Sequence, residues 1–233
     1  MANPVAGPIG LFGGTFDPIH RGHLALARAA QKHFGLQQIH FVPANVSPHK
    51  QQRSPISFTH RYTMVALATL DEMRFLPSLL EETSAPSYTI ETVRKFKQSL
   101  KRSDRLFFLI GIDAFLDIAK WREADALLNE CEFVVASRPS YSLQDVAGAL
   151  PQSLQSSVAG TRRSASGTLE WGGAVIHLLK GVYQPISSTA IRDAAARGSS
   201  VTRWVPSRVA HYIKKLHLYK PNRRANMEGP AEQ

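Results

Sequence analysis

Short apolar runs alternate along the chain with stretches in which apolar residues recur every three or four positions. The runs that resemble buried strands are PIGLFGG from residue 8, QIHFVPA from residue 38, RLFFLIG from residue 105, CEFVVAS from residue 131 and AVIHLL from residue 174. Strand-like runs separated by helical periods are typical of a parallel sheet with crossover helices. The pattern therefore predicts an α/β fold with a Rossmann-like, doubly wound parallel sheet and a small C-terminal helical part.

The segments between these runs have apolar residues at helical spacing, which predicts helices there. Glycine or proline marks several of the helix ends. The expected helices are 23–34 ending at Gly35, 88–100, 188–197 ending at Gly198, and 206–216 beginning at Pro206. A further helix is expected to be capped by Ser57 or Thr59 and to share one apolar face among Phe58, Tyr62, Val65 and Met73.

Other segments have weaker patterns. Residues 114–130 are expected to form one helix or two short helices with a break near Trp121. The stretch 140–173 is rich in Ser, Ala, Gly and Gln, which is typical of a weak surface helix or a mobile loop. Residues 220–233 have little to bury, so we expect a disordered tail after a single domain over 1–219.

The charge balance favours anionic partners. Lys and Arg total 28 against 18 Asp and Glu, a formal net charge of +10. Phosphates, nucleic acid and acidic membranes all fit such a charge. The basic residues are scattered and no basic stripe is interleaved with aromatic residues, so nucleic acid is not the expected ligand.

The sequence contains one cysteine and no targeting segment. Cys131 lies in an apolar run, which predicts a core thiol and excludes a disulfide framework. The N-terminal MANPVAGPIG has no basic region followed by a long apolar stretch, and no run approaches the ~20 apolar residues of a membrane span. We therefore expect a soluble cytoplasmic protein with no membrane partner. The sequence leaves its oligomeric state open, and a homodimer is one of the alternatives.

The segment GGTFDPIHRGH, residues 13–23, carries the most chemical information. Gly13 and Gly14 allow backbone amides to approach a phosphate where a strand passes into a helix, and the helix N-terminus directs N–H groups to the same place. Ligands bind at this edge of such sheets. His20 and His23 flank the first turn of that helix, so both imidazoles are expected to face one anionic group.

Other chemistries fit this segment less well. A zinc site would need cysteine or acidic ligands at suitable spacing, and none is near. The glycines lack the G-x-G-x-x-G spacing of a dinucleotide fingerprint, and no Gly-Lys-Ser/Thr of a P-loop follows. The remaining histidines, which we expect to be ordinary surface or core residues, are His33, His40, His60, His177, His211 and His217.

GGTFDPIHRGH resembles the T/H-x-G-H signature of nucleotidylyltransferases, in the long form typical of bacterial nicotinate-nucleotide adenylyltransferases. Thr15, His20, Gly22 and His23 occupy the signature positions. Class I aminoacyl-tRNA synthetases share a related His-Ile-Gly-His element, but their Lys-Met-Ser-Lys-Ser loop is missing here. The resemblance implies a Rossmann-like fold of the nucleotidylyltransferase type.

Further matches to this family follow in family order over roughly residues 8 to 216. They are VPANVSPHK, SYTIETV from residue 87, LIGIDAFLDIAKW from residue 109, ISSTAIRDAAARG from residue 186 and VPSRVAHYI. The sequence departs from the family pattern at Ile112, where alanine is usual, and over 140–173, where no motif aligns.

The resemblance implies a set of site residues. The catalytic groups would be His20, His23, Lys50 and Arg192. The residues at ATP would be Gly13, Gly14, Thr15, Phe16, Gly22, Gly111, Asp113, Ile186, Ser187, Ser188 and Thr189. The pyridine nucleotide would lie against Ser87, Tyr88, Thr89 and Trp121.

Several of these residues also have simpler interpretations. The hydroxyls of 187–189 precede a helix and are N-cap candidates, which is compatible with phosphate binding. Asp113 follows a buried strand, so it either caps the next helix or holds a ribose hydroxyl; we favour the ribose. Arg192 is either a solvated charge or a guanidinium that holds phosphate oxygens beside a helix N-terminus.

The implied reaction joins ATP to nicotinate mononucleotide, with pyrophosphate as the leaving group and no covalent enzyme intermediate. Both histidines, Lys50, Arg192 and the glycine amides would supply a positive field, and Mg²⁺ would be carried by the ATP phosphates. A pantetheine-phosphate adenylyltransferase of the same fold is the rival enzyme, although it lacks the tryptophan segment. A nucleotide-binding regulator or RNA-binding protein is the rival without activity.

Overall fold

A computed structural model describes residues 7–45, 54–82, 88–101, 103–155, 162–163, 167–182 and 184–221. Within these ranges the strands form one eight-stranded sheet in the order β3-β2-β1-β4-β5-β8-β7-β6. The strands are β1 Ile9–Gly14, β2 Gln38–Pro43, β3 Phe75–Pro77, β4 Leu106–Gly111, β5 Glu132–Ala136, β6 Arg162–Arg163, β7 Thr168–Trp171 and β8 Ala174–Leu179.

In the spatial order of the sheet, every neighbouring pair from β3 to β8 is parallel. The β8–β7 and β7–β6 pairs at the other edge are antiparallel. Phe12 of β1 lies between Phe41 of β2 and Leu109 of β4. The chain runs outward from β1 in both directions, so the order reverses between β1 and β4 and leaves a crevice at their carboxyl ends. This arrangement confirms the doubly wound fold and all the strands expected from apolar runs. β3, β6 and β7 were not expected because they are short or lie in a polar segment.

The helices are α1 Arg21–Phe34, α2 Phe58–Thr69, α3 Thr89–Lys97, α4 Ile112–Phe115, α5 Ala124–Glu130, α6 Leu143–Gly148, α7 Gln152–Gln155, α8 Ser188–Ala196 and α9 Ser207–Lys215. A 3₁₀ turn at Ile118–Lys120 ends at Trp121, which confirms the expected break. Gly35 and Gly198 have φ of 64° and 75°, the left-handed geometry that ends a helix.

Four local predictions are corrected or narrowed by the structure. Helix α1 begins at Arg21 and not at His23, because the His20 side chain caps it. Met73 is 98% exposed and lies beyond α2, which ends at Thr69, so Met73 does not share the buried face of that helix. Ser57 caps α2 by accepting the N–H of His60, whereas Thr59 is inside the helix. Within 140–173 the described residues form α6, α7, β6 and β7 instead of a single weak helix or loop.

Apolar side chains form two cores, one on each face of the sheet. One core contains residues of α1, α2, α8 and α9, and the other contains residues of α3, α4 and α5. Cys131 packs, partly buried, against the second core, and burial raises the pKa of its thiol to about 12. In the part of the chain that the structure describes, no helix is both long enough and apolar enough to cross a membrane.

A charged cluster joins β4, β5 and β8 at the end of the sheet opposite to the crevice. The Glu132 carboxylate accepts two hydrogen bonds of 2.8 Å from Arg105 and lies 2.8 Å from Nε2 of His177. Burial by itself would raise the pKa of Glu132, but the hydrogen bonds from His177 and Arg105 outweigh burial and hold it at about 2. His177 is therefore a structural residue.

We expect Glu132→Gln to lower the midpoint of thermal unfolding at pH 7. The pKa of Glu132 is lower in the folded chain than its ordinary value of 4.5, so its charge stabilises the fold above about pH 4.5. That contribution is lost as the pH falls from 4.5 towards 2. The difference in Tm between the two proteins should consequently narrow between pH 5 and pH 3.5, as measured by calorimetry.

Glu170→Gln is the matched control, because Glu170 is an exposed carboxylate on β7 of the same sheet. This control should shift Tm little at any pH. A Tm difference for Glu132→Gln that stays constant from pH 7 to pH 3.5 would contradict the assignment.

Candidate active site

A cavity of about 980 Å³ opens at the carboxyl ends of β1 and β4. Its wall is formed by the turn after β1, Asn45 after β2, the entrance of α2, the end of β4 and the first turns of α8. The cavity therefore lies at the point where the strand order reverses, the usual ligand site of such sheets. Its volume is within the range of cofactor and substrate pockets, which is roughly 300–1,000 Å³.

The N-termini of α1, α2 and α8 all contribute residues to this cavity. None of the three helices has an acidic residue in its first turn. The first N–H groups of a helix lack internal partners and carry partial positive charge. The cavity therefore combines three positive helix ends with the guanidinium of Arg192, which is an arrangement suited to phosphates.

The two histidines at the start of α1 cap the helix reciprocally. Nδ1 of His20 accepts the N–H of His23 at 3.4 Å, and Nδ1 of His23 accepts the N–H of His20 at 3.2 Å. The rings stack with centroids 3.6 Å apart. A Cβ atom on Gly22 would lie 3.1 Å from Nδ1 of His20, so glycine at this position leaves room for the ring. Since both Nδ1 atoms accept, each neutral ring carries its proton on Nε2.

His20 and His23 differ in their access to the cavity. His23 lines it and packs edge to face against Phe16, with ring centroids 5.1 Å apart. His20 is 8% exposed and is not part of the lining. Desolvation by burial lowers the pKa of His20 to about 4. The expectation that His20 adds positive charge beside the phosphates is therefore wrong for the free protein: its ring is neutral at neutral pH.

The end of β1 and the turn after it combine two glycines, whose backbone faces the cavity, with a buried aromatic ring. Gly13, Gly14 and Thr15 line the cavity as expected. A Cβ on Gly14 would lie 3.1 Å from the Phe16 ring, which explains the glycine. Phe16 has φ of 48° and is only 2% exposed. Phe16 also lines the cavity as expected, although its ring packs mainly in the first core.

Gly111 ends β4 at the cavity, and a Cβ added there would meet no atom within 4 Å. The position therefore has space for a ligand. Asp113 follows in the first turn of α4, where the N-cap is Gly111 and no side chain caps the helix. The capping interpretation of Asp113 is thus wrong. Its carboxylate pairs with Arg138, a residue after β5 that lies in none of the motifs.

The hydroxyls at the start of α8 have separate roles. Ser187 is the N-cap and accepts the N–H of Ala190, as expected. Ser188 donates to the carbonyl of Pro18 at 3.0 Å and so joins α8 to the turn after β1. Thr189 accepts from Nη2 of Arg192 at 3.0 Å. Ile186, just before the cap, packs against the first core and does not line the cavity.

Arg192 is held at the cavity wall with 18% of its side chain exposed. Its Nη1 donates to the carbonyl of Asp17 at 2.8 Å, and its Nε is buried with no hydrogen-bond partner among the described residues. An unsatisfied buried donor is costly. The interpretation of Arg192 as a freely solvated charge is therefore wrong, and its guanidinium is fixed beside the turn after β1.

Arg61 was not expected at the site. It is 1% exposed, lines the cavity, and donates to the carbonyls of Thr15 at 2.9 Å, Ile56 at 3.0 Å and Asn45 at 3.2 Å. It therefore connects the segments after β1 and β2 with the entrance of α2. The sequence contained one signal, because Arg61 is three residues after Phe58 and four before Val65 and so lies on the apolar face of its helix.

Sequence comparisons assign the chain to a family. A model described as Cytidylyltransferase-like matches residues 11–194. A relative from Geobacter metallireducens, named "Probable nicotinate-nucleotide adenylyltransferase", is 38% identical over 92% of this chain and 99% of its own length. A relative of the same name from Moorella thermoacetica is 37% identical over 92% of this chain and 93% of its own length. The chain belongs to the nicotinate-nucleotide adenylyltransferase family.

Structural comparison agrees with this assignment. The Plasmodium falciparum nicotinic acid mononucleotide adenylyltransferase complexed with NaAD has a TM-score of 0.68 over 91% of this chain and 97% of its own. At 19% identity this likeness shows the fold. The family and fold predicted from the motifs are confirmed, and the chain is a nucleotidyltransferase of the nicotinate-nucleotide adenylyltransferase family.

The residues that the family resemblance assigns to the pyridine nucleotide lie apart from the described cavity lining. Tyr88 and Trp121 both pack, half-buried, against the second core. Arg122, the residue after Trp121, stacks over the Tyr88 ring at 4.5 Å, so the two aromatic positions are near each other. Thr89 begins α3 directly after Tyr88. Ser87 and Lys50 lie outside the described residues, as does the tail beyond residue 221.

We expect the Cε1–H resonance of His20 to titrate with a midpoint near 4 in the free protein, because burial disfavours its protonated form. An NMR pH titration measures this directly, with the resonance assigned by its loss in His20→Asn. A midpoint close to the ordinary value of 6.5 would mean that His20 is charged near neutral pH and that the capping arrangement differs.

Proposed function

We propose that this chain transfers the adenylyl group of ATP to nicotinate mononucleotide, giving nicotinate adenine dinucleotide and pyrophosphate in NAD biosynthesis. The observation that carries the proposal is the cavity at the carboxyl edge of the sheet, where three helix N-termini and Arg192 meet without a competing acidic residue in any first turn. Membership of the nicotinate-nucleotide adenylyltransferase family supports the choice of substrates.

The reaction is a direct in-line displacement. A phosphate oxygen of the mononucleotide attacks the α-phosphorus of ATP, a new P–O bond forms, and the bond to the bridging oxygen breaks so that pyrophosphate leaves with its electron pair. The nucleophile is already an anion, so no base has to remove a proton. The protein has to align two phosphates that repel each other and stabilise the charge on the departing group.

The fixed N–H donors of the cavity suit this task. His23 lines the cavity and carries its proton on Nε2 when neutral, so it is assigned to the α-phosphate and the bridging oxygen. Arg192 is assigned to the departing phosphates. Lys50 keeps its proposed role at the same phosphates. His20 is assigned to fix the first turn of α1 and the orientation of His23, since the two rings stack.

Mg²⁺ enters this scheme as part of the substrate, Mg-ATP. In the described ranges no group of three or more His, Cys, Asp or Glu side chains is arranged to hold a metal ion. A magnesium ion that binds mainly through phosphate oxygens and water requires no such cage.

The residues proposed to bind the nucleoside of ATP and the pyridine ring of the mononucleotide are assigned by family resemblance. Gly111 leaves open space beside the cavity for the nucleotide, and Asp113 follows it for the ribose. Trp121 is assigned to the pyridine ring, with Tyr88 nearby. The structural neighbour from Plasmodium falciparum is complexed with NaAD, which is the dinucleotide product of the reaction proposed for this chain.

The substrate choice is tested by a pyrophosphate-release assay with Mg-ATP and a panel of nicotinate mononucleotide, nicotinamide mononucleotide and phosphopantetheine. We expect kcat/KM for the acid form to exceed that for the amide by at least ~10-fold, about 1.4 kcal/mol of discrimination. Equal rates with acid and amide would contradict acid specificity, and a preference for phosphopantetheine would contradict the proposed function.

His23→Ala should lower kcat by roughly 10²–10³-fold and change KM much less. The charge on the α-phosphate and bridging oxygen grows in the transition state, so a donor placed there stabilises the transition state more than bound ATP. Steady-state kinetics with circular dichroism to verify folding measure the effect.

His33→Ala is the control, because His33 is exposed in the last turn of the same helix. Its kcat should change by less than about twofold. If His23→Ala folds normally but only raises the KM for ATP, His23 binds substrate without a catalytic role.

A further inference from the structure

One acidic side chain lies in the wall of the phosphate cavity. Among the described lining residues Asp17 is the only carboxylate, and it is buried. Its Oδ2 forms a long ion pair with Nη1 of Arg192 at 3.9 Å, and its charge also acts on the buried Arg61 guanidinium. A carboxylate in this position competes with a phosphate for Arg192, because a guanidinium binds both kinds of oxygen.

The C-terminal segment supplies a partner for this carboxylate. Tyr219 follows α9, and its hydroxyl donates to Oδ1 of Asp17 at 2.8 Å across 202 positions of sequence. Both side chains are buried. Burial, and then the charge of Asp17, raise the pKa of Tyr219 well above its usual range, so the hydroxyl remains a donor. Tyr219 lies beyond residues 11–194, which the family model matches.

The backbone at Tyr219 is strained to make this contact. Its φ of 71° lies in the left-handed region, which bulky side chains rarely adopt. Strain of this kind persists only where surrounding interactions hold it. Here the ring packs in the first core and the hydroxyl reaches Asp17, so packing and the hydrogen bond both hold the conformation.

We propose that Tyr219 is a positioning residue of the active site, which holds the Asp17 carboxylate at the outer limit of ion-pairing distance from Arg192 and so keeps that guanidinium available to substrate phosphate. This inference rests on the proposed function for the identity of the phosphate. The Asp17 backbone carbonyl accepts from Nη1 of Arg192 at 2.8 Å and holds the guanidinium in place. Without the tyrosine hydroxyl, the carboxylate would turn towards Arg192 and shorten the 3.9 Å ion pair into a direct hydrogen bond.

Tyr219→Phe tests this mechanism because it keeps the ring and removes only the hydroxyl. We expect the Kd for Mg-ATP, measured by titration calorimetry, to rise about tenfold, a change typical of one charge-assisted hydrogen bond. In an Asp17→Asn background no carboxylate competes for Arg192, so the same substitution should change Kd less than about twofold. In steady-state assays the KM for ATP should rise more than the KM for the mononucleotide.

Tyr212→Phe is the matched control. Tyr212 lies in α9, its hydroxyl is 2.9 Å from Nδ1 of His60, and neither residue lines the cavity. The Kd for Mg-ATP should stay within about twofold of the parent protein. A Tyr219→Phe effect that is absent, equal in the Asp17→Asn background, or matched by Tyr212→Phe would overturn the proposal.

Two further outcomes are decisive. If Tyr219→Phe does not fold, Asp17→Asn by itself tests the competition: freeing Arg192 should tighten Mg-ATP binding by about threefold or more, and an unchanged or weaker Kd would overturn the proposal. Because calorimetry with Mg-ATP requires no acceptor, a protein that shows the expected pattern but does not adenylylate nicotinate mononucleotide supports this inference while contradicting the proposed function.

Discussion

The structure of the site depends on positive helix N-termini that meet at the carboxyl edge of a parallel sheet. A parallel sheet with crossover connections places the ends of its strands, and the starts of the helices that follow, on one side. Three of those starts lie in one cavity without first-turn acids. Their partial positive charge favours an anion such as phosphate, and no carboxylate in the first turn of any of the three helices competes with it.

Positive helix ends and buried arginines repel each other, so other interactions have to hold them in place. At this site backbone carbonyls do so. Arg61 donates to carbonyls after β1 and β2 and at the entrance of α2, and Arg192 donates to the carbonyl of Asp17. Backbone acceptors orient a guanidinium without neutralising it. The positive charge therefore remains available to a ligand, while the loops that carry the site are held together.

The sequence predicted the fold and the principal loop well for a physical reason. Strand-like runs and glycine turns are local signals, and a contiguous motif such as residues 13–23 brings its own neighbours together. The capping by His20 and His23 spans three residues, so its two members could be named together. The charge state of His20 could not be predicted, because it depends on burial by residues distant in sequence.

The sequence by itself determined the parallel α/β sheet, the glycine turn, the histidine pair, and the serine cap and Arg192 of α8, because each is encoded within a few adjacent positions. Only the tertiary structure decided that Arg61 joins three segments, that Phe16 is a core ring, and that Tyr219 reaches Asp17 across 202 positions. Those contacts join separate loops and helices. Their partners are selected by the packing of whole elements on the sheet, which no local pattern encodes.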